Sequence, residues 1–557
     1  MPHLWCFQWT NYYPPPTGFG TSIYTEDVTV VPACVVNGKY VYYGDGAPGT
    51  FGPNMPWLCG QSGPLTTSLV DPAAAQEVAG NSINQNPNTV ASISNTVLGV
   101  AADGTAEIVL RIDAPTAGTA LTLSLVDENG NPAAAGSQNA LGYLKTLLTT
   151  DAPASTAGGT PITVTTVAVT GSGSMAFAVY VPPKDFVRDN NSSDPILSVR
   201  TVSVQISGSG LSQQQPIEIL RPPVAFVHGI WGGPFDGSDI LSSLLKDNVG
   251  LMTYAIDYAG LITILSSSPT YGSGSLTVSG ANLGFQYDAS DILPDLYDAI
   301  VDYRTDNLLN TPIAVAQADI VAHSMGGDIT RYLPLTSGFS GDQNYDLGPV
   351  HKLITIGTPH LGSPLAIQLL QSSNTCVAKV LGWLHHYAFS SVLIYPNVSY
   401  TGGIADLQGD INGTLGSLGP DLFAIQPGVA GSTATIPTAM IAASMTSTQL
   451  NAVNSSKDAF VIRKVCGSAP LAADLTSSGW QSLLSNQSDA IVPVNSQLAG
   501  STTNTRFPLG GEVHSPGTEY LGFAGPSELD DMAVIAPEVL QLLNTPVDNQ
   551  VVFPSLP

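Results

Sequence analysis

Residues 318–327 read Ala318-Asp319-Ile320-Val321-Ala322-His323-Ser324-Met325-Gly326-Gly327. A short apolar run enters a pentapeptide centred on Ser324, and the positions two before and two after that serine are small, Ala322 and Gly326. This is the pattern of a nucleophile elbow, a strand-to-helix turn that lifts a serine hydroxyl above the C-terminal edge of a parallel sheet. Strand and helix backbones nearly touch in such a turn, which is why its flanks must be small. Arg331, Tyr332 and Leu333 continue the helix that the turn requires.

The chain on either side supplies what such a serine needs. After Leu220-Arg221-Pro222-Pro223, apolar strands alternate with amphipathic helical stripes, the signature of a doubly wound, mostly parallel sheet. Strands are expected at 224–227, 252–256, 319–321, 353–356 and 439–442, and Ile292, Leu296, Ile300 and Val301 stripe a helix over 288–304. Ligands belong at the C-terminal ends of such strands. Val224-Ala225-Phe226-Val227-His228-Gly229-Ile230 is a buried strand ending in His-Gly. Acyl transfer needs two backbone N–H donors where negative charge develops. Met325, next to the serine, supplies one; Ile230 supplies the other, with Trp231 as the alternative, and Gly229, Gly232 and Gly233 let that backbone approach closely.

The order serine, acid, histidine selects the remaining partners. Asp489, in Ser488-Asp489-Ala490-Ile491-Val492-Pro493, opens a short apolar strand over 491–494; Asp458, Asp474 and Asp257 are its rivals. His514, in Glu512-Val513-His514-Ser515, precedes a helix expected over 527–543, and no other histidine lies beyond Asp489. His514 would take the proton of Ser324, and Asp489 would hold the imidazole in the right tautomer. No metal or organic cofactor is required.

Together with Thr355-Ile356-Gly357-Thr358-Pro359-His360-Leu361-Gly362-Ser363-Pro364, these motifs resemble those of bacterial α/β-hydrolase lipases and esterases. The elbow, with alanine as its first flank, is similar to that of the small Bacillus lipases. Ala490 stands where that family has glycine. The resemblance covers about 222–545. It implies a serine carboxylic-ester hydrolase acting through an acyl-enzyme, with a lid or a fixed cap over 363–437, and it places Gly402-Gly403-Ile404-Ala405-Asp406-Leu407-Gln408 in a structural role after that lid.

Composition bounds the remaining classes. Only 10% of the 557 residues are charged, and 16 basic against 42 acidic residues give a net charge of −26. Phosphate backbones and anionic membranes are repelled in the mean field, so nucleic acid is not an expected partner. The low charge and the wealth of small residues read as an exported or cell-surface protein, although Met1-Pro2-His3-Leu4-Trp5-Cys6 shows no signal peptide and no apolar run is long enough for a transmembrane segment. Cys376 and Cys466 form one possible disulfide; none of the five cysteines has metal-ligand spacing.

Four parts follow: an aromatic-, proline- and glycine-rich β region over 1–90, an immunoglobulin-like β-sandwich over 91–218, a catalytic domain over 219–546, and a tail over 547–557. Expected partners are an ester or lipid substrate, a lipid–water interface on which the lid would open, and an insoluble polymer docked through the β region and the N-terminal aromatics. A polyester depolymerase, and a non-catalytic adhesion or spacer protein, are the competing readings. The remaining histidines read as structural: His323 in a hydrogen bond away from the pocket, His228 as a brace of the oxyanion loop, and His360, His385 and His386 as polar cap residues.

Overall fold

The computed structural model describes residues 65–553 apart from 134–137, 148–159, 189–192, 209, 231, 233–249, 269–271, 280–282, 385–401, 428, 430–435, 486, 502–506 and 530–531, together with a hairpin of Ala33–Val36 and Lys39–Tyr42. The aromatic side chains of the first 64 residues lie outside the described set, as do His385, His386 and the apolar run 387–395.

The C-terminal part is built on a six-stranded sheet in the order Thr253–Ile256, Val224–Val227, Ala318–His323, Val350–Ile356, Thr438–Ser444, Phe507–Gly510, with every neighbouring pair parallel. Parallel strands buried on both faces need continuous apolar runs, and the three central strands are buried at every position. Successive side chains divide between two cores. Ala225, Val227, Ile320, Ala322 and Leu353 face one that includes Phe285, Ile292, Leu296 and Ile300 of the helix Phe285–Tyr303 and Met325 and Ile329 of the helix Met325–Tyr332. Val224, Phe226, Val321, Ile354 and Ile356 face another, with Ile535, Val539 and Leu542 of the helix Met532–Leu543.

The strand order reverses beside Val224–Val227. The chain leaves this strand outward to Thr253–Ile256, then crosses back to Ala318–His323 on its other side. Crossovers diverge at such a point and leave a crevice at the C-terminal strand ends, the region of His228 and Ser324.

Ahead of it, two six-stranded sheets pack on one apolar core. In Ala120–Val126 the buried Leu121, Leu123 and Leu125 alternate with polar or small residues, the period of a strand with one face inward. The first sheet takes Thr66–Val70 from ahead of the expected boundary at residue 91, with Leu69 opposite Leu110. The second sheet closes on Ile313–Ala314, which pairs in parallel with Gly99–Ala101 although it comes from the chain just before the elbow strand.

Two expected elements differ. Residues 491–494 form no sheet strand: the backbone N–H groups of Ile491 and Val492 turn onto Asp489 Oδ1, Pro493 has no N–H to offer, and Val494–Gln497 is helical, so the sixth strand is Phe507–Gly510. The terminal helix starts at Met532, because Ser527 is bridged to Val513 in extended pairing. Within 363–437, Leu365, Ala366 and Leu369 of the helix Pro364–Leu370 enter the core, and Cys376 on the helix Thr375–Leu384 is disulfide-bonded to Cys466.

Candidate active site

Ser324 lies between strand and helix at φ 54°, ψ −132°, a conformation L-residues rarely adopt. It costs on the order of 1–3 kcal/mol and persists only where its surroundings over-determine it. Here they do. The Ser324 N–H donates to the Ile356 carbonyl at 2.9 Å. A Cβ on Gly326 would stand 2.4 Å from the His228 carbonyl oxygen, and one on Gly327 would stand 2.3 Å from Thr358 Oγ1, so helix, turn and neighbouring strand ends close on each other only because these positions are glycine.

Three residues from distant parts of the chain meet there. His514 Nε2 is 2.7 Å from Ser324 Oγ, and His514 Nδ1 is 2.8 Å from Asp489 Oδ2. All three are buried. The carboxylate of Asp489 is held by four donors: the N–H groups of Ile491 (2.8 Å) and Val492 (2.7 Å) on Oδ1, Gln497 Nε2 (3.0 Å) and His514 on Oδ2. Because an ionised carboxylate only accepts, the His514 proton belongs on Nδ1 and Nε2 presents a lone pair to the serine hydroxyl. The His514 N–H also donates to the Asp489 carbonyl at 2.8 Å, tying the two loops by backbone as well. Ala490 takes a glycine-like φ of 85°. The rival acids sit elsewhere: Asp257 faces His228 at 3.3 Å, Asp458 lies in the first turn of Lys457–Val465, and Asp474 ends Pro470–Asp474.

Met325 opens the elbow helix, so its N–H is among those without an intrahelical partner, at the positive end of the helix dipole. The other expected donor, Ile230, follows Gly229, and a Cβ on Gly229 would fall 2.7 Å from Ser324 Cβ. The loop therefore passes directly over the serine. His228 anchors it: Nδ1 bonds the Gly229 carbonyl at 2.8 Å, the ring stacks on Tyr258 with centroids 4.0 Å apart, and Tyr258 Oη donates to the His228 carbonyl at 2.7 Å.

His323 Nε2 donates to the His514 carbonyl at 3.0 Å, and burial holds its pKa well below the usual histidine range, so it is neutral. His360 is fully buried, not a polar cap residue. Nδ1 accepts from Arg331 at 3.0 Å and Nε2 donates to Thr355 at 3.0 Å, tying the elbow helix to its neighbouring strand. Two residues behind the serine carry no sequence signal: Gln497, which bridges Asp489 to the Ala443 carbonyl, and Glu528, whose carboxyl is wholly buried 3.4 Å from His323 Nε2 and 3.8 Å from His514 Nδ1. Among the described residues, His323, His514 and Glu528 are the cluster whose donor atoms gather as a metal's ligands would, and both His514 ring nitrogens are already engaged by Ser324 and Asp489.

No family model and no curated protein matches the chain. Solved structures similar to it include a Bacillus licheniformis lipase in propeptide form (14% identity, 58% of this chain and 50% of that one, TM-score 0.32) and the Staphylococcus hyicus lipase (14% identity, 57% and 92%, TM-score 0.30). The match thus spans half the length of the Bacillus chain. The reeler domain of human F-spondin is similar over 21% of this chain and 76% of that one, at 10% identity and a TM-score of 0.14.

Proposed function

We propose that the chain is a serine carboxylic-ester hydrolase of lipase or esterase type on an α/β-hydrolase scaffold, exported from the cell, with an immunoglobulin-like β-sandwich ahead of the catalytic part. The observation that carries this reading is the continuous hydrogen-bonded line Ser324–His514–Asp489 behind a strained serine at the C-terminal ends of a parallel sheet. His514 takes the Ser324 proton as the oxygen attacks the ester carbonyl. Asp489 stabilises the imidazolium, and the proton passes to the departing alcohol. The N–H groups of Met325 and Ile230 receive the oxyanion. Water repeats the cycle on the acyl-enzyme. The Cys376–Cys466 disulfide supports export, since such bonds persist in oxidising compartments. Among the described residues no helix is long and apolar enough to cross a membrane.

A fluorophosphonate probe tests the reading. It should label the wild type at Ser324, and Ser324→Ala should abolish both labelling and hydrolysis of short p-nitrophenyl esters while the melting temperature barely moves. A wild type that neither labels nor hydrolyses any ester sinks it. Comparing soluble esters, emulsified triglyceride and polyester film then separates esterase, lipase and depolymerase.

A further inference from the structure

We propose that Glu528 is a positioning residue of this site: a protonated, neutral carboxylic acid locked behind the Asp489–His514 pair, whose proton keeps that corner at a single negative charge. The inference rests on the ester-hydrolase reading and goes beyond it, since neither the chemistry nor the chain order of serine, acid and histidine calls for a second acid.

The backbone fixes where Glu528 sits. Its N–H donates to the Val513 carbonyl at 2.9 Å, the Val513 N–H donates to the Pro526 carbonyl at 2.9 Å, and Ser527 pairs with Val513 in parallel register. The residue is therefore pinned beside the one preceding His514. The opposite wall is cut to fit it: a Cβ on Gly357 would lie 2.0 Å from Glu528 Oε2.

The groups around the carboxyl decide its protonation. Both oxygens are buried and neither meets a hydrogen-bond donor at bonding distance and angle. Facing them are Asp489, Glu512, His323 and His514. His323 is held neutral, and the Nδ1 proton of His514 is committed to Asp489. Among the described residues no cation is left to offset a second buried charge, which would be costly unpaired. Asp489 and Glu528 meet acceptor to acceptor, a contact that becomes a hydrogen bond only when Glu528 carries the proton. Burial first, then the Asp489 charge and that hydrogen bond, push the Glu528 carboxyl well above the usual carboxylate range. A neutral Glu528 gives Asp489 one more fixed neighbour without competing for the His514 proton.

Three variants and one spectrum test this. Glu528→Gln keeps shape and neutrality, so kcat on a soluble p-nitrophenyl ester should stay within about threefold of wild type, whereas Glu528→Ala should lower kcat about tenfold or more with KM unchanged, because substrate never touches the residue. If alanine leaves a void too large for folding, Glu528→Leu fills the volume without the hydrogen bond and makes the same comparison. Wild-type minus Glu528→Gln infrared difference spectra at about pH 8, where ordinary carboxyls are ionised and the Asp288 contribution common to both proteins cancels, should show the carbonyl band of one buried protonated acid. A loss beyond about a hundredfold in Glu528→Gln, an unchanged kcat in the alanine or leucine variant, or a wild type lacking the band overturns the assignment. Failure of the fluorophosphonate to label wild type sinks the hydrolase reading instead, so the two failures are told apart.

Discussion

Ser324, Gly229 and Glu528 meet around one hydroxyl, and they differ in how visible they are from sequence. Ser324 is marked by small flanks and by the apolar run before it, and the chain order downstream left Asp489 with three rivals and His514 with none; the structure brings all three within hydrogen-bond reach. Glu528 and Gln497 belong to no motif, and only the bridge between 513 and 527 and the turn after Asp489 carry them behind the histidine. Residue type at a given spacing says nothing about such a meeting. Gly229 offers a test that leaves the hydrogen-bonded line intact. Its substitution by alanine would put a methyl carbon 2.7 Å from Ser324 Cβ and force the loop bearing the Ile230 N–H away. Gly229→Ala is expected to lower kcat about a hundredfold, with a smaller change in KM, because a donor displaced by about an ångström no longer meets the oxyanion. Steady-state kinetics that match wild type would mean this loop holds no oxyanion donor.

Helices and strands follow the hydrophobic period closely where an element is long and fail where it is short. The stripe Ile292, Leu296 and Ile300 identified a helix that the structure extends to Phe285–Tyr303, because Gly284 precedes it at φ 102° and Asp406 Oδ2 accepts from the Phe285 N–H at 3.0 Å. The run 491–494 has the composition of a strand, yet the Asp489 side chain captures its N–H groups before a sheet can. The same helix contains Asp288, fully buried, with neither oxygen hydrogen-bonded. Burial first, then the charges of Asp406 and Asp291, hold its pKa well above the usual aspartate range. Between the ordinary value and that raised value the native state binds more protons than the unfolded chain. Stability is therefore complete below the ordinary range and is lost as pH rises through the native value, by up to about 1.4 kcal/mol per pH unit for one such group. Asp288→Asn removes this group from the titration. Its urea midpoint should fall less than that of wild type between mildly acidic and mildly alkaline pH, and parallel pH dependences for the two proteins would show that Asp288 is ionised in the native state.

The change from alternating strands to apolar runs near residue 220 is plain in the sequence and marks a border between two parts, and many hydrogen bonds cross it. Ile313–Ala314 is too short to register in any periodicity, yet it completes the second sheet of the N-terminal part from within the C-terminal part. Asp103 Oδ2 accepts from the N–H groups of Ala316 and Gln317, immediately before the elbow strand. Lys352, 2% exposed on the strand Val350–Ile356, donates to Asp185 of the N-terminal part at 2.9 Å and to the carbonyl of Thr545 beyond the terminal helix at 3.0 Å. Arg221, at the junction itself, packs its guanidinium 4.3 Å from the Phe186 ring centroid and donates to Asn544 at 2.7 Å. Deleting residues 1–220 would take the Asp185 counter-charge from Lys352, remove the acceptor of the Ala316 and Gln317 N–H groups, strip a sheet neighbour from Ile313–Ala314 and expose apolar surface that the N-terminal part covers. The margin to absorb such losses is small, since a typical protein is stable by only about 5–15 kcal/mol. A 221–557 fragment is therefore expected to aggregate or to melt without cooperativity, and not to react with a fluorophosphonate under conditions that label the full chain. A fragment that is soluble, melts in one sharp transition and labels at Ser324 would show that the two parts are separable modules and that the shared strand is dispensable.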